Sequence, residues 1–337
     1  MKRIIVTRFS AMGDVAMVAS VLQELQAQQP DLEIIMVSRK LFKAFFDGIP
    51  RLRFHELDPH GKHKGVKGLF ALFQELSAYK PHYVADLHNN LRSRTLDFFF
   101  KLWGFKTAIL FKGRKEKEQF LKQRSRRKIP LKPTTERYAD VFRKLGFHLT
   151  LAHKLHKAER PLPALYQHFF TNDSKKIGIA PFAQHSYKIF PLEKMEAVVA
   201  NLSAQRFNIF IFGGGQQEKD IVDKWCAKYK NVVNTIGTIP LQQELDLIAN
   251  LDLMVSMDSS GMHMASLVGI RCLSIWGATH PYTGFLGYGQ SFDDCIQVDH
   301  PNRPSSIYGN KPCLCDGVEA IDLVTPEMVI DKILSSR

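Results

Sequence analysis

The chain has 337 residues, of which 45% are hydrophobic and 23% are charged. This balance excludes an intrinsically disordered protein, and the length suits two domains of roughly 150 residues each. No apolar run approaches the roughly 18 to 20 residues of a membrane-spanning helix, and the apolar run after the basic start is too short for a signal peptide. The five cysteines show neither a disulfide framework nor zinc-ligand spacing, so we expect a reduced, cytoplasmic protein.

The net charge of +13 is divided unevenly along the chain. Residues 1–176 carry 34 basic and 16 acidic side chains, whereas residues 177–337 carry 12 and 17. The densest basic stretch is 101–132, with 12 lysines and arginines. Such a block favours an anionic partner, which could be an acidic substrate, an anionic membrane face or nucleic acid. For any single lysine, a solvated loop is the simpler interpretation.

Short β-rich runs alternate with amphipathic helical runs in both halves, which is typical of parallel sheets covered by helices on both faces. The first half predicts strands over 3–8, 33–38, 83–87 and 107–111, and helices near 15–28, 67–78 and 91–102. The second half predicts strands over 176–181, 208–212, 253–257 and 272–276, and helices near 192–203, 217–229, 240–249 and 261–268. The predicted fold class is therefore α/β, with two doubly wound parallel-sheet domains around a central cleft.

The proline-containing segment 158–175 interrupts this alternation and is interpreted as the linker. We expect a first domain over 1–160 and a second over 175–325, with ligands beyond the carboxyl ends of the strands. A last helix is predicted over 326–337, because Thr325 suits the cap and Pro326 the first helical position. We expect that helix to pack back toward the first domain.

Asp14 closes the segment Arg8-Phe-Ser-Ala-Met-Gly-Asp14, which joins the first strand to the first helix. A helix N-terminus keeps a carboxylate ionised through free N–H groups and the helix dipole. Asp14 is therefore a candidate to accept the proton of an attacking hydroxyl. Aspartate is also a favoured N-cap, and position alone favours that structural role.

Two loops of the second half could meet an anionic ligand. Lys188 lies in a loop that follows a strand and ends at Pro191, where it could pair with a diphosphate. The turn Gly213-Gly214-Gly215 allows close backbone approach, and Glu218 is placed to accept from ribose hydroxyls. The structural alternatives are a solvated lysine and an ordinary strand-to-helix turn.

The most informative motif is Asp258-Ser259-Ser260-Gly261-Met-His263, where a helix is predicted to follow a buried strand directly. Hydroxyls, glycine and bare N–H groups at a helix start form a ready phosphate site, and His263 could donate to a phosphate or sugar oxygen. The alternative makes Asp258 or Ser259 a cap and His263 a core residue. Because the chain has no Asp-x-Asp, we expect no metal and no cofactor, with Lys188 and helix dipoles neutralising the diphosphate.

The order and spacing of these motifs resemble glycosyltransferase family 9, the heptosyltransferases that build the inner core of bacterial lipopolysaccharide. The resemblance covers most of the chain and includes a fifth motif, Gly277-Ala-Thr-His-Pro281. It implies the GT-B fold, with an acceptor-binding N-terminal domain and a C-terminal domain for the nucleotide-sugar. It also implies an inverting single displacement in which Asp14 is the general base.

The same resemblance assigns further site residues and partners. The positions of Lys188, Glu218, Asp258, Ser259 and His263 match donor-binding residues, and Ser260 and Gly261 belong to the same motif. Arg92 and Arg137 resemble positions near the acceptor. The implied partners are an ADP-sugar, most simply ADP-heptose, and an anionic glycolipid at the cytoplasmic face of the inner membrane. The basic first half suits that acceptor, and no nucleic acid is expected.

The chain departs from the family pattern in two places. The family often shows His-Pro-Gly-Ala where this chain has Ala180-Pro-Phe182-Ala, and Phe182 narrows the approach of a ligand to the backbone. Ser260 also separates Ser259 from Gly261, where the glycine usually follows the hydroxyl residue directly.

Two alternative functions stay open from the sequence. Another GT-B-like nucleotide-sugar enzyme, such as an epimerase, would need a carboxylate-rich cleft. A nucleic-acid-binding protein would use the 101–132 stretch and bind with a steep salt dependence, but it leaves the phosphate motifs of the second half without a role.

Overall fold

A computed structural model of the chain describes residues 2–123 and 129–335. The chain divides into two compact units. The first comprises Met1–Gly113 and Lys132–Ala152, and the second comprises Arg114–Leu131 and His153–Arg337. These units differ from the predicted domains, because the second begins before the predicted linker and includes part of the basic stretch.

The first unit is built on a five-stranded parallel sheet with the order β3-β2-β1-β4-β5. Its strands are β1 (Arg3–Thr7), β2 (Glu33–Ser38), β3 (Leu52–Glu56), β4 (Tyr83–Asp86) and β5 (Lys106–Ile109). Its helices are α1 (Met12–Gln28), α2 (Gly65–Ser77), α3 (Leu91–Leu102) and α5 (Thr134–Leu145), while α4 (Arg114–Lys122) belongs to the second unit.

Burial explains which strands of the first unit could be predicted. All of β2 is buried, and in the parallel register Ile5 of β1 lies opposite Ile35. Strands covered on both faces read as continuous apolar runs, which is the signal that predicted β1 and β2. Strand β3 lies at the sheet edge and is half-exposed, with charged and aromatic residues mixed, so its sequence carries no such signal.

The second unit contains a six-stranded parallel sheet with the order β11-β10-β9-β6-β7-β8. Its strands are β6 (Lys176–Ala180), β7 (Asn208–Ile211), β8 (Val232–Asn234), β9 (Leu253–Met257), β10 (Cys272–Ile275) and β11 (Cys295–Ile296), followed by the hairpin β12 (Leu314–Cys315) and β13 (Val318–Glu319). Its further helices are α6 (Leu192–Ala204), α7 (Gln216–Lys228), α8 (Leu241–Ala249), α9 (Ser260–Leu267) and α10 (Pro326–Leu334). The prediction of two doubly wound parallel sheets is confirmed.

The last helix begins as predicted. Thr325 accepts the Met328 N–H at 3.3 Å and caps α10, and Pro326 is its first residue. The buried side chains Val329 and Ile333 belong to the core of the second unit, where α10 packs on α6. The expected packing of this helix toward the first unit stays a prediction.

Part of the basic stretch is also anchored in the second unit, although we expected it in the first. Phe120 of α4 is buried, with its ring 6.3 Å from that of His280, and the Leu131 N–H donates to the Tyr282 oxygen at 2.9 Å. Burial of an apolar side chain such as Phe120 stabilises this placement, and the proline-containing linker on which the sequence-based boundary rested does not reveal it. Residues 124–128 of this stretch lie outside the described part of the chain.

Among the described residues, no helix combines the length and the hydrophobicity needed to span a bilayer.

Candidate active site

Asp14 lies just beyond the carboxyl end of β1, in the first turn of α1. The N-cap position belongs to Ala11, so the expectation that Asp14 itself caps the helix is wrong. Its carboxylate still serves the helix start, because Oδ2 accepts the Ala11 N–H at 3.4 Å. The side chain is about a quarter exposed, with a relative accessibility of 24%, and can therefore be reached by a ligand.

Two buried side chains hold the Asp14 carboxylate in place. The Arg8 guanidinium forms an ion pair with Oδ2, and the Tyr138 hydroxyl donates to Oδ1 at 3.1 Å. Arg8 also donates to the Leu87 oxygen at 2.8 Å, which ties the loop after β1 to the end of β4. Burial alone would lower the pKa of Arg8, but Tyr138 and Asp14 outweigh it and raise that pKa. The carboxylate is thus oriented and paired with the Arg8 guanidinium.

Sequence reasoning missed both of these partners. Arg8 was noted only as the first residue of the segment that ends at Asp14, and Tyr138 was not singled out. Tyr138 lies on α5, 124 residues from Asp14, so sequence spacing does not indicate that the two side chains meet. The only available signal was that Arg8 ends a strand whose carboxyl edge was expected to bind ligand.

A buried polar network supports the neighbouring strand end. Asp86, the last residue of β4, accepts the Thr7 hydroxyl at 3.2 Å and the His88 N–H at 2.7 Å. His88 Nδ1 in turn accepts the Phe9 N–H at 3.0 Å. Burial and the nearby Arg8 charge lower the pKa of His88 to about 4, so the ring is neutral near pH 7. These bonds fix the backbone around Arg8.

The two arginines predicted near an acceptor have different surroundings. Arg92 is half-buried in the first turn of α3, two residues after the N-cap Asn90. Arg137 is buried on α5, where its Nε donates to the Lys132 oxygen at 3.3 Å. A Cβ on Gly113 would lie 2.4 Å from an Arg137 nitrogen, so that glycine makes room for the guanidinium. The Arg137 side chain is therefore buried within the first unit.

In the second unit, Lys188 and Asp258 form an ion pair. Lys188 ends a short 3-10 turn after β6, Asp258 directly follows β9, and Nζ lies 2.9 Å from Oδ2. The two side chains are only 16% and 7% exposed. The strands β6 and β9 are neighbours in the sheet, so their carboxyl ends bring the two residues together. The sequence identified both as donor-binding candidates but did not indicate that they pair.

The start of α9 follows immediately. Ser259 is the N-cap, but in the described structure its hydroxyl lies 3.3 Å from the Ser256 hydroxyl and does not cap the backbone. Ser259 and Ser260 are half-buried, whereas His263 is buried. The first-turn N–H groups and the positive end of the dipole could therefore bind an anion, and the donor-binding role of this motif stays a prediction.

Gly261 has a packing role that the sequence did not indicate. A Cβ at this position would lie 2.6 Å from the Ala180 Cβ and 2.9 Å from the Ser256 hydroxyl. The glycine therefore lets α9 approach the end of β6 closely, which fixes the position of the helix start.

The glycine turn after β7 meets two other residues singled out above. Glu218, in the first turn of α7, accepts the Gly214 N–H at 2.7 Å. A Cβ on Gly213 would lie 2.6 Å from Glu218 Oε2 and 2.9 Å from Phe182 Cδ2. Glu218 and Phe182 thus border the same backbone turn at Gly213.

A buried arginine that the sequence did not single out holds the fifth motif. Arg303 is 2% exposed and donates to the oxygens of Gly277 at 2.7 Å and Thr279 at 2.9 Å. Burial lowers the pKa of its guanidinium to about 10, which still leaves it charged near pH 7. Arg303 therefore sets the shape of the loop that follows β10.

Within the described residues, one group has a composition suited to a metal, formed by His55, His63 and Glu75. His63 Nδ1 accepts the Asp58 N–H at 3.0 Å, so the neutral ring carries its proton on Nε2, which faces Glu75 at 3.4 Å. Lys62 Nζ also lies 2.7 Å from the Glu75 carboxylate. His63 Nε2 and Lys62 Nζ both face the Glu75 carboxylate, an arrangement that fits a hydrogen-bonded carboxylate better than a metal site.

Each unit thus offers one part of a transfer reaction. The first presents an oriented, partly exposed carboxylate, and the second presents a lysine and a helix start at the carboxyl edge of a parallel sheet. A carboxylate can take a proton from a hydroxyl, and a lysine with bare N–H groups can stabilise a phosphate. These are the two requirements for transfer from a phosphate-activated donor.

Comparison with known structures defines the class of protein. A glycosyltransferase family 9 protein from Veillonella parvula has a TM-score of 0.74 at 18% identity, and the match covers 99% of this chain and 97% of that one. The heptosyltransferase WaaC from E. coli, solved with ADP and with ADP-2-deoxy-2-fluoro heptose, has a TM-score of 0.68 at 16% identity, covering 99% and 100%. The fold is therefore that of the GT-B glycosyltransferases, as predicted.

The sequence comparisons then give the family. The model of glycosyltransferase family 9 (heptosyltransferase) matches residues 69–305. Lipopolysaccharide core heptosyltransferase OpsX from Haemophilus influenzae is 25% identical over 318 residues, covering 90% of this chain and 88% of the relative. The chain belongs to glycosyltransferase family 9 and is a glycosyltransferase. This result favours the predicted transferase over the epimerase and nucleic-acid-binding alternatives.

Proposed function

We propose that this protein transfers heptose from ADP-heptose to the inner core of lipopolysaccharide, with inversion at the anomeric carbon and Asp14 as the general base. The observation that carries the proposal is the Asp14 carboxylate, which Arg8 and Tyr138 hold at the carboxyl edge of the first sheet. Two relatives support the choice of substrates, since one is named for the lipopolysaccharide core and another was solved with ADP and an ADP-heptose analogue.

The reaction is a single displacement. An acceptor hydroxyl attacks the anomeric carbon of the donor while the bond from that carbon to the diphosphate oxygen breaks, and ADP leaves. The hydroxyl proton passes to the Asp14 carboxylate as the new bond forms. Arg8 and Tyr138 keep the Asp14 carboxylate in one orientation while the proton is transferred.

The second unit stabilises the leaving group. On donor binding, Lys188 is released in part from Asp258. Its ammonium group and the first-turn N–H groups of α9 then stabilise the negative charge that develops on the diphosphate. Glu218 accepts from the ribose hydroxyls, and Ser259, Ser260 and His263 contribute further polar groups. This arrangement supplies positive charge without a metal.

Arg92 and the basic first half bind the anionic acceptor. The acceptor is a glycolipid, so the enzyme works at the cytoplasmic face of the inner membrane and contacts that surface peripherally. The net positive charge of residues 1–176 suits both the phosphorylated sugar core and anionic headgroups.

The proposal is tested with Asp14→Asn. We expect kcat to fall by roughly 10²- to 10⁴-fold, the usual contribution of a general base, with an unchanged Kd for ADP. The matched control is Asp31→Asn in the same unit, because the Asp31 side chain is 93% exposed. Normal turnover in a folded Asp14→Asn protein would exclude the base role.

The donor is tested separately by calorimetry with ADP, UDP, GDP, CMP and NAD. Selective binding of ADP supports an ADP-sugar donor. Selective binding of UDP or GDP would keep the transferase class and overturn ADP-heptose as the donor.

A further inference from the structure

The outer face of α3 carries a stripe of exposed apolar side chains. Leu91, Phe98 and Leu102 are 85%, 60% and 64% exposed. At 3.6 residues per turn these three positions fall on one stripe. The inward face of the same helix already contributes Leu96 and Phe100 to the core of the first unit. The outer leucines and phenylalanine are therefore not needed for packing within this unit.

This stripe continues into aromatic residues of the neighbouring helix. The Phe98 ring lies 5.9 Å from that of Phe99, which lies 5.3 Å from that of Phe70 on α2. Phe70 lies 6.0 Å from Trp103, which directly follows α3 and is 54% exposed. Ring contacts thus link Phe98, Phe70 and Trp103, while Leu91 and Leu102 share the stripe of Phe98, and exposed apolar patches mark interaction sites. We name this surface, comprising Leu91, Phe98, Leu102, Phe70 and Trp103, the aromatic face.

The exposed charged side chains of α2 and α3 beside the aromatic face are basic. Lys67 of α2 and Arg94 and Lys101 of α3 are exposed beside it. The two helices contain only two acidic residues, of which Asp97 is buried and Glu75 is paired with Lys62 at 2.7 Å. No exposed carboxylate therefore interrupts the cationic border within α2 and α3.

We propose that the aromatic face docks on the anionic surface of a phospholipid bilayer. Interfacial helices combine an apolar face that enters the headgroup boundary with lysine and arginine side chains that meet anionic lipid. Phe98, Leu102 and Trp103 supply the inserted groups, and Arg94 and Lys101 supply the charge. A second copy of the chain fits less well, since a two-fold contact through this face would bring the two cationic borders together.

The docking rests on the membrane contact of the proposed function and assigns a surface to it, and it is measured without donor or acceptor, so its failure leaves the transfer reaction untouched. The protein contains three tryptophans, and Trp225 and Trp276 are buried, so exposure changes at Trp103 dominate the fluorescence response. We expect a blue shift with vesicles of phosphatidylcholine and phosphatidylglycerol but not with phosphatidylcholine alone, and Trp103→Phe should abolish it. Co-sedimentation with the same vesicles measures the partition coefficient.

Two variants separate the apolar and charge contributions. Phe98→Gln/Leu102→Gln and Arg94→Gln/Lys101→Gln should each lower the partition coefficient by roughly tenfold or more, the second chiefly at low salt. Glutamine is a good helix former, so the fold should survive at these exposed positions. The matched control is Leu41→Ala/Lys43→Gln, two exposed positions elsewhere in the first unit.

Each outcome decides the proposal. Binding that requires phosphatidylglycerol and is lost in both variants but not in the control supports it. Absence of binding to either vesicle, or binding equally strong in the variants, overturns it. A dimer in analytical ultracentrifugation that the Phe98→Gln/Leu102→Gln variant abolishes, without vesicle binding, would assign the aromatic face to a second copy instead.

Discussion

The Lys188 ammonium and the Asp258 carboxylate form an ion pair of 2.9 Å at the carboxyl ends of two neighbouring strands. Both groups are largely buried, so each charge depends on the other for its stability. The pair lies beside the start of α9, where a phosphate would compete with Asp258 for the lysine. The ion pair thus stabilises the structure without ligand. In the proposed reaction, the diphosphate replaces Asp258 as the partner of Lys188.

Lys188→Ala should lower both stability and nucleotide affinity. Loss of the lysine leaves Asp258 buried and unpaired, which typically costs about 3–5 kcal/mol of the free energy of unfolding. We expect Lys188→Ala/Asp258→Asn to recover much of that loss in urea denaturation, because the buried charge is gone. Affinity for ADP, measured by calorimetry, should stay at least about tenfold weaker in both proteins. Recovered ADP affinity in the double variant would show that Lys188 is not a phosphate ligand.

Tyr138→Phe tests how far Asp14 depends on its orientation. The variant removes the hydroxyl that donates to Asp14 Oδ1 at 3.1 Å and leaves the buried ring in place. We expect kcat to fall by roughly tenfold, the equivalent of one hydrogen bond to a charged group, with an unchanged Kd for ADP. Tyr79→Phe is the matched control, because that hydroxyl contacts His55 at 3.3 Å in the same unit. Equal activity in both variants would remove Tyr138 from the mechanism.

Gly213→Ala tests the turn shared by Glu218 and Phe182. The new methyl group would lie 2.6 Å from Glu218 Oε2 and 2.9 Å from both Phe182 Cδ2 and Ile236 Cδ1, so these side chains must shift. We expect a loss of about 1–3 kcal/mol in the free energy of unfolding and at least roughly tenfold weaker ADP binding. Gly214→Ala is an adjacent control, since nothing lies within 4 Å of its added Cβ. Unchanged ADP binding in Gly213→Ala would indicate that Glu218 does not bind the nucleotide.

Asp97→Asn should change how stability depends on pH. Burial and the neighbouring Asp86 carboxylate raise the pKa of Asp97 to about 9, whereas an unfolded aspartate has a pKa near 3.9. The folded state therefore holds a proton that the unfolded state releases, so this group costs stability as pH rises from about 4 to about 9. At pH 7 the cost is roughly 4 kcal/mol, and the asparagine variant, which does not titrate, should avoid it.

Urea denaturation of the wild type and Asp97→Asn at pH 5, 7 and 8.5 measures this difference. The gap in the free energy of unfolding should widen toward high pH in favour of the variant. The exposed control Asp31→Asn should show no such trend. A constant gap across this range would mean that Asp97 is ionised in the folded protein.

The sequence determined the central strands, most of the helices and the order of the motifs. Strands such as β2 and β9 are buried throughout and read as apolar runs, while glycine, serine and acidic residues mark the turns that follow strands. Because parallel strands place their carboxyl ends on one edge of a sheet, local pattern alone located Asp14, Lys188, Glu218 and Asp258 at such edges. The resemblance of these motifs to glycosyltransferase family 9 then indicated a sugar-transfer reaction.

Only the tertiary structure decided which side chains meet. The pairing of Asp14 with Tyr138 joins residues 124 positions apart, and that of Lys188 with Asp258 depends on the adjacency of β6 and β9. Long-range contacts of this kind leave no periodicity in the chain. The same reason explains the packing of α10 on α6 and the exposed aromatic face of α3, since an apolar residue in the sequence does not reveal whether a partner covers it.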